Sequence, residues 1–172
     1  MKRRSLRLSL VAVAAFVSIA SVASGDTTRV QDDLAHDTSD RVDIKWVEHG
    51  HSGRNLTHTL RTYDPWPGRL LRKDNTIQLY LAPGSSRDAE TRRVLVVGYR
   101  NGRLMARMRD VTSSEVVGRA DLTRPDQRTV RLEFPRRFIQ RGLKAYRWKV
   151  YVFQGNQDSV PSSPRDRILH RL

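Results

Sequence analysis

From residue 42 onward, apolar residues recur at every second position and each run is cut short by a turn signal, which confines the chain to antiparallel β-structure. Helical spacing is nearly absent. Val42, Ile44 and Trp46 alternate with Asp43, Lys45 and Val47, and Leu56, His58 and Leu60 alternate with Thr57, Thr59, Arg61 and Tyr63. Between them, residues 49–55 (HGHSGRN) read as turn chemistry. Ile77, Leu79 and Leu81 oppose Gln78 and Tyr80, and the run Val94-Leu95-Val96-Val97 reads as a central strand covered on both faces. Asn101-Gly102 follows, flanked by strands. A type I′ hairpin needs positive φ at both central residues, and Asn and Gly tolerate it best.

The returning strand, residues 103–111, puts Leu104, Ala106 and Met108 inward and Arg107 and Arg109 outward. Residues 116–122 and 129–134 make two more strands, split by Thr123-Arg124-Pro125-Asp126. Residues 135–142 hold one short helical turn. The last long strand, residues 144–154, places Tyr146, Trp148, Val150 and Val152 on one face and Lys149 and Tyr151 on the other. About eight strands at short intervals predict an all-β fold, an antiparallel, jelly-roll-like β-sandwich over residues 42–155. Residues 156–172, with Pro161 and Pro164, read as a mobile basic tail.

The N-terminus sets an address. Lys2, Arg3, Arg4 and Arg7 precede an apolar run over residues 8–20, and Ser21-Val22-Ala23 is a small-x-small site. This is the grammar of a secretory signal peptide, residues 1–23, in a run short of the ~20 residues that span a bilayer. The chain has no cysteine, so an exported form holds together without disulfides and carries no cysteine-linked lipid. The expectation is a secreted or cell-envelope protein with no membrane segment after cleavage.

Charge is unevenly placed. The whole chain carries a formal +14, and arginine supplies 27 of its 32 basic residues. Residues 26–44 instead hold six aspartates against two arginines. Residues 24–41 therefore read as an acidic, flexible leader, either a solvated spacer or a segment that folds back on the basic domain.

Asp43 to Gly50 (DIKWVEHG), then Asn55-Leu56-Thr57, Pro135-Arg136-Arg137-Phe138 after a strand, and residues 146–152 resemble segments of secreted β-sandwich domains of high-GC bacteria. Such domains are similar to the family 9 carbohydrate-binding modules and DOMON-type sandwiches. The resemblance covers roughly residues 41–155 and implies a ligand-binding jelly roll, often for sugar or haem. The chain departs from those families in lacking a paired-tryptophan sugar clamp and an assignable Met/His haem pair.

Trp66, between Pro65 and Pro67, is the leading ligand-binding candidate, because a rigid loop can present an indole on which a sugar ring stacks. Tyr63 and Arg61, just before it, supply further stacking and hydrogen bonds. The alternative is that Trp66 folds down to cap one end of the sandwich. Trp46 and Trp148 lie in phase with apolar positions and read as core. His49, His51 and His58 are the residues to weigh for a metal, but no carboxylate is obviously placed to complete a set. Asp37, Asp40 and Asp43 have the wrong spacing for an EF-hand loop. No catalytic residue, metal or cofactor is assigned: there is no cysteine nucleophile and no G-x-S-x-G elbow, and Glu48, Asp64, Asp110 and Glu133 carry no local sign of being special.

Outward strand positions are repeatedly basic: Arg61, Arg107, Arg109, Arg119, Arg131, Arg147 and Lys149. Such a face attracts polyanions. Export argues against nucleic acid as the partner. The function expected is a non-catalytic binding module for polysaccharide or an anionic cell-envelope polymer. The rival class is an envelope structural or protein-interaction domain.

Overall fold

Strands that are apolar on one side bury that side by curling the sheet around it. The computed structural model describes residues 27–31, 42–154, 156–161 and 166–172, and there the chain is all-β, with only two short 3₁₀ turns besides. The strands are β1 (Thr27–Gln31), β2 (Ile44–Ser52), β3 (Asn55–Thr62), β4 (Thr76–Pro83), β5 (Arg93–Arg100) and β6 (Arg103–Asp110). They continue with β7 (Val116–Asp126), β8 (Thr129–Pro135), β9 (Ala145–Gln154), β10 (Asn156–Val160) and β11 (Ile168–Arg171). All pairings are antiparallel, in the order β1-β2-β3-β8-β7-β6-β5-β4-β9-β10, with β11 also on β9. The sheet is nearly closed into a barrel. Among the described residues no helix is long and apolar enough to cross a membrane.

Strand β7 makes the corner. Its Val116–Ala120 part pairs with β6, and Asp121 onward pairs with β8. The sequence reading stopped this strand before Thr123-Arg124-Pro125, yet it runs through to Asp126. Pro125 fits because the register shifts between Thr123 and Asp126, at a place where the ladder asks for no N–H.

The interior is filled from every strand side by the expected alternation. Leu79, Leu81, Leu95, Val97, Met108, Tyr146, Trp148 and Val152 are all essentially inaccessible to solvent. Two expectations are corrected. Trp46 is not core: a bulge between Ile44 and Trp46 reverses the phase, so Val47 turns inward and Trp46 outward beneath the Arg29 guanidinium, 4.1 Å from its ring. Residues 49–55 are not all turn either. β2 continues to Ser52, and the reversal needs only Gly53 and Arg54, with Gly53 at φ +57°.

The ends of the chain also join the sheet. Inside the stretch expected as a flexible leader, Thr27–Gln31 pairs with β2 from Gly50 to Trp46. Inside the expected tail, β10 pairs with the second half of β9 and β11 with its first half. The expected signal peptide, residues 1–23, lies outside the described residues.

Asn101 and Gly102 join β5 to β6 at φ +50° and +78°, the type I′ geometry expected of them. A Cβ on Gly102 meets nothing within 4 Å, so its cost is conformational alone. Gly102→Ala is expected to destabilise the fold by about 1 kcal/mol, read as a lower urea midpoint with an unchanged slope.

Candidate functional site

The three residues singled out for ligand binding answer to different partners. Trp66 is 2% exposed and, with Trp148, one of the two largest side chains in the core. Its backbone N–H donates to the Gln127 carbonyl at 3.1 Å, and the Arg124 guanidinium covers its ring at 4.3 Å while donating to its carbonyl at 2.9 Å. Burial lowers the Arg124 pKa, with Asp126 opposing. Trp66 is therefore a plug beneath the β7–β8 hairpin and offers no open stacking face, the inward one of the two placements the sequence left open. The prolines on either side fix the loop so that the indole turns in, as readily as they would have turned it out.

Arg61 donates from Nη1 to Asp126 Oδ2 and Thr129 Oγ1, both at 2.8 Å, clasping β3 to the β7–β8 turn. Backbone donation from Arg128 and the Arg61 guanidinium pull the Asp126 pKa down to about 2. Tyr63 is half-buried, with Lys45 Nζ 5.6 Å from its ring.

The other acidic residues weighed are tied into the scaffold separately. Glu48 accepts from Arg29 at 2.9 Å, and Glu133 from the Asn55 amide at 2.9 Å. Asp110 accepts from Arg93 and from the Ser113 and Thr112 backbone N–H groups, which hold its pKa below the usual value. Asp37 and Asp40 lie outside the described residues.

An aromatic and cationic surface lies instead on the outer face of β4, β5, β6 and β9. The alternation that sends Trp148 and Val150 inward sends Tyr151 and Phe153 outward; Lys149 lies on that side too but is only 2% exposed, which corrects its reading as an open surface cation. Register places Tyr80 opposite Lys149 and Gln78 opposite Tyr151. Tyr80 and Tyr151 meet edge-to-face with centroids 5.2 Å apart, and Phe153 continues the row 5.8 Å from Tyr151. Tyr80 donates to Gln78 Oε1 at 2.8 Å, and Gln78 donates on to Thr76. Burial, then the neighbouring Tyr151, raises the Tyr80 pKa.

Lys149 Nζ lies 4.9 Å from the Tyr151 ring. Burial lowers its pKa, with Asp166 opposing and Arg167 adding to the fall. Tyr80, Lys149, Tyr151, Phe153 and Arg167 line a basin of about 340 Å³. On the same sheet, Lys73, Arg100, Arg107 and Arg109 line a second basin of about 370 Å³, floored by Val96, Gly98 and Met105. Among the described residues no carboxylate lines either one, although Asp166 lies near enough to Lys149 to act on it. Stacking faces beside several guanidiniums suit a flat or ring-shaped ligand that carries negative charge.

The inner face holds a second cluster, and sequence reasoning saw only part of it. His49 and His58 are buried as neighbours in register, and His170 of β11 joins them. His170 Nδ1 lies 2.9 Å from His49 Nδ1, and its Nε2 lies 3.2 Å from His51 Nδ1. His58 Nε2 lies 2.9 Å from the Tyr146 hydroxyl, packed between Phe134 and Trp148. Because His170 turns opposite ring nitrogens to His49 and His51, the three form a chain and do not converge on one point. Among the described residues no group of three histidines or carboxylates is disposed to hold a metal ion. The signal for His170 was its inward phase in a short strand, hidden because residues 156–172 read as a tail.

Set beside known proteins, the chain matches no family model, and no curated protein is significantly similar to it in sequence.

Two predictions come from these sites. Removing a fully buried indole by Trp66→Ala is expected to cost about 3–5 kcal/mol, seen as a large fall in the denaturation midpoint. The second concerns pH. Burial, then His49 and His170, holds the His58 pKa well below 6.5, and burial raises that of Tyr146 above 10.0. Below pH 6.5 the unfolded chain binds protons that folded His58 refuses, so stability is lost as pH falls from 6.5 toward the lowered value. Above pH 10.0 the unfolded tyrosine ionises and the folded one does not, so stability falls again as pH rises. Urea midpoints measured across pH are expected to peak between these limits, and His58→Gln is expected to flatten the acid side.

Proposed function

We propose that the chain is a secreted, non-catalytic binding module whose ligand is an anionic polysaccharide or another anionic polymer of the cell envelope. The observation that carries this reading is the row Tyr80, Tyr151 and Phe153 beside Lys149 and Arg167, next to the basin of Lys73, Arg100, Arg107 and Arg109. Aromatic rings offer sugar rings an apolar face, and the cations meet their carboxylates, sulfates or phosphates. In this reading residues 1–23 direct export, the curled sheet serves as the sandwich of a carbohydrate-binding or DOMON-like domain, and the ligand lies along its outer face. Tyr63, Arg61 and Trp66 line neither basin.

The test is retention of the protein on immobilised heparin, a sulfated uronic-acid polymer, against neutral dextran at low and high salt. Binding is expected to heparin alone and to fall steeply with salt, since contacts to a polyanion release its counterions. Tyr151→Ala is expected to weaken binding about three- to tenfold, or roughly 0.7–1.4 kcal/mol. Equal retention on both polymers, or no effect of the substitution, overturns the reading.

A second reading, a protein-interaction domain of the envelope, is favoured by one observation. Val111, Val116 and Val117 are exposed by 44%, 48% and 37% around the β6–β7 connection. An apolar interface there would bind a protein partner with little dependence on salt.

A further inference from the structure

His49, His51 and His170 close the gap between β2 and β11, two strands that share no main-chain ladder. Among the described residues β11 pairs only with β9, and β2 pairs with β1 and β3. The residue before β11 is Arg167, which lines the aromatic basin, donates to the Ala89 carbonyl and accepts at its own carbonyl from Arg147 at 3.0 Å. A strand of only four residues thus has one end in the imidazole chain and the other beside the outer basin.

We propose that this histidine chain is a proton-operated latch: protonation parts β11 from β2, carries Arg167 out of the aromatic basin, and so weakens ligand binding in mild acid. The ligand half rests on the function proposed above; the latch half does not.

Counting ring hydrogens gives the mechanism. A neutral imidazole has one N–H and one acceptor nitrogen. Three neutral rings satisfy both contacts, with His170 donating to one neighbour and accepting from the other. One added proton is also accommodated, because a cationic His170 donates to both. A second proton sets N–H against N–H at 2.9 or 3.2 Å, in a place where His49 and His170 are 2% and 5% exposed. His58, from β3, adds a fourth ring 6.1 Å from His49. Ring contacts among the described residues also bring Tyr146 and Trp148 of β9 and Phe134 of β8 against these histidines. Of these only Tyr146 titrates, and it is neutral throughout the acid range. With the latch open the rings no longer set N–H against N–H, so opening takes up more than one proton and depends steeply on pH.

Hydrogen exchange of the full-length protein between pH 7.5 and 5.0, corrected for intrinsic rates, tests the latch. Protection of residues 168–171 is expected to fall at least about tenfold relative to β5, more steeply than one proton allows. His170→Gln, which hydrogen-bonds but does not titrate, is expected to abolish that difference. Should this variant not fold, His51→Gln at the partly exposed end of the chain is expected to make the dependence shallower. Protection of β11 that follows β5 at every pH, or four histidine ring resonances titrating independently near 6.5, overturns the latch.

Heparin affinity measured in parallel tests the coupling. Added positive charge by itself strengthens polyanion binding in acid, so a weakening has the opposite sign and supports the proposal. Loss of β11 protection with affinity unchanged or raised overturns the coupling. Failure to bind heparin at either pH overturns the ligand reading and the coupling together, while the exchange data still decide the latch.

Discussion

A sheet that curls almost into a barrel leaves a seam, and the main-chain groups along it must be satisfied or the edge becomes a site for pairing with other chains. Here the seam runs along β2, and three devices cover it. Strand β1 pairs along it from Trp46 to Gly50. Beyond that strand, the Ile44 N–H donates to the Asp158 carboxylate of β10 at 2.7 Å, with Asp158 only 5% exposed. At the other end the imidazoles of His49 and His51 meet His170. Polar side chains thus finish what the backbone ladder leaves open, and the interior beneath them can be dry.

The same closure sorts the charge. With the inner face given to aliphatic, aromatic and imidazole groups, the excess of arginine has only the outer face and the loops to occupy. Some of that charge is neutralised, as where Arg61 meets Asp126 and Arg93 meets Asp110. In the two outer basins cations gather, and among the described residues the lining itself holds no carboxylate. Gathering like charges opposes compactness, and its return is a field that draws anions to the surface.

How much of this was legible in the sequence depended on what each feature rests on. Where side-chain alternation decides, as in Ile77, Leu79, Leu81 or Tyr146, Trp148, Val150, the strand and its inner face could be read directly. Asn101-Gly102 was legible because few residues accept its backbone angles. Trp46 misled because one bulged residue reverses every later position in a strand, and nothing in residues 44–46 announces a bulge. β1, β10 and β11 were missed because edge strands are held by main-chain hydrogen bonds, which leave no apolar pattern. Trp66 was read for its flanking prolines, but its direction depends on Arg124 and Gln127, some sixty residues further on. The outer basins needed register: Tyr80 and Tyr151 belong to strands that only the folded sheet makes neighbours.

Strand β9 is where the two sides of the molecule meet. Tyr146 and Trp148 point inward to the histidines, while Lys149 and Tyr151 point outward to the aromatic basin. Trp148 and Lys149 share a peptide bond, so a displacement of one face is felt on the other within a single residue. β11 pairs with β9 over Ala145 to Trp148, directly behind the histidine contacts. Any rearrangement of the seam therefore acts on the backbone that positions Lys149, through hydrogen bonds that exist for structural reasons alone. Period-two geometry makes a thin sheet a poor insulator between its faces, and here the inner face carries the imidazoles.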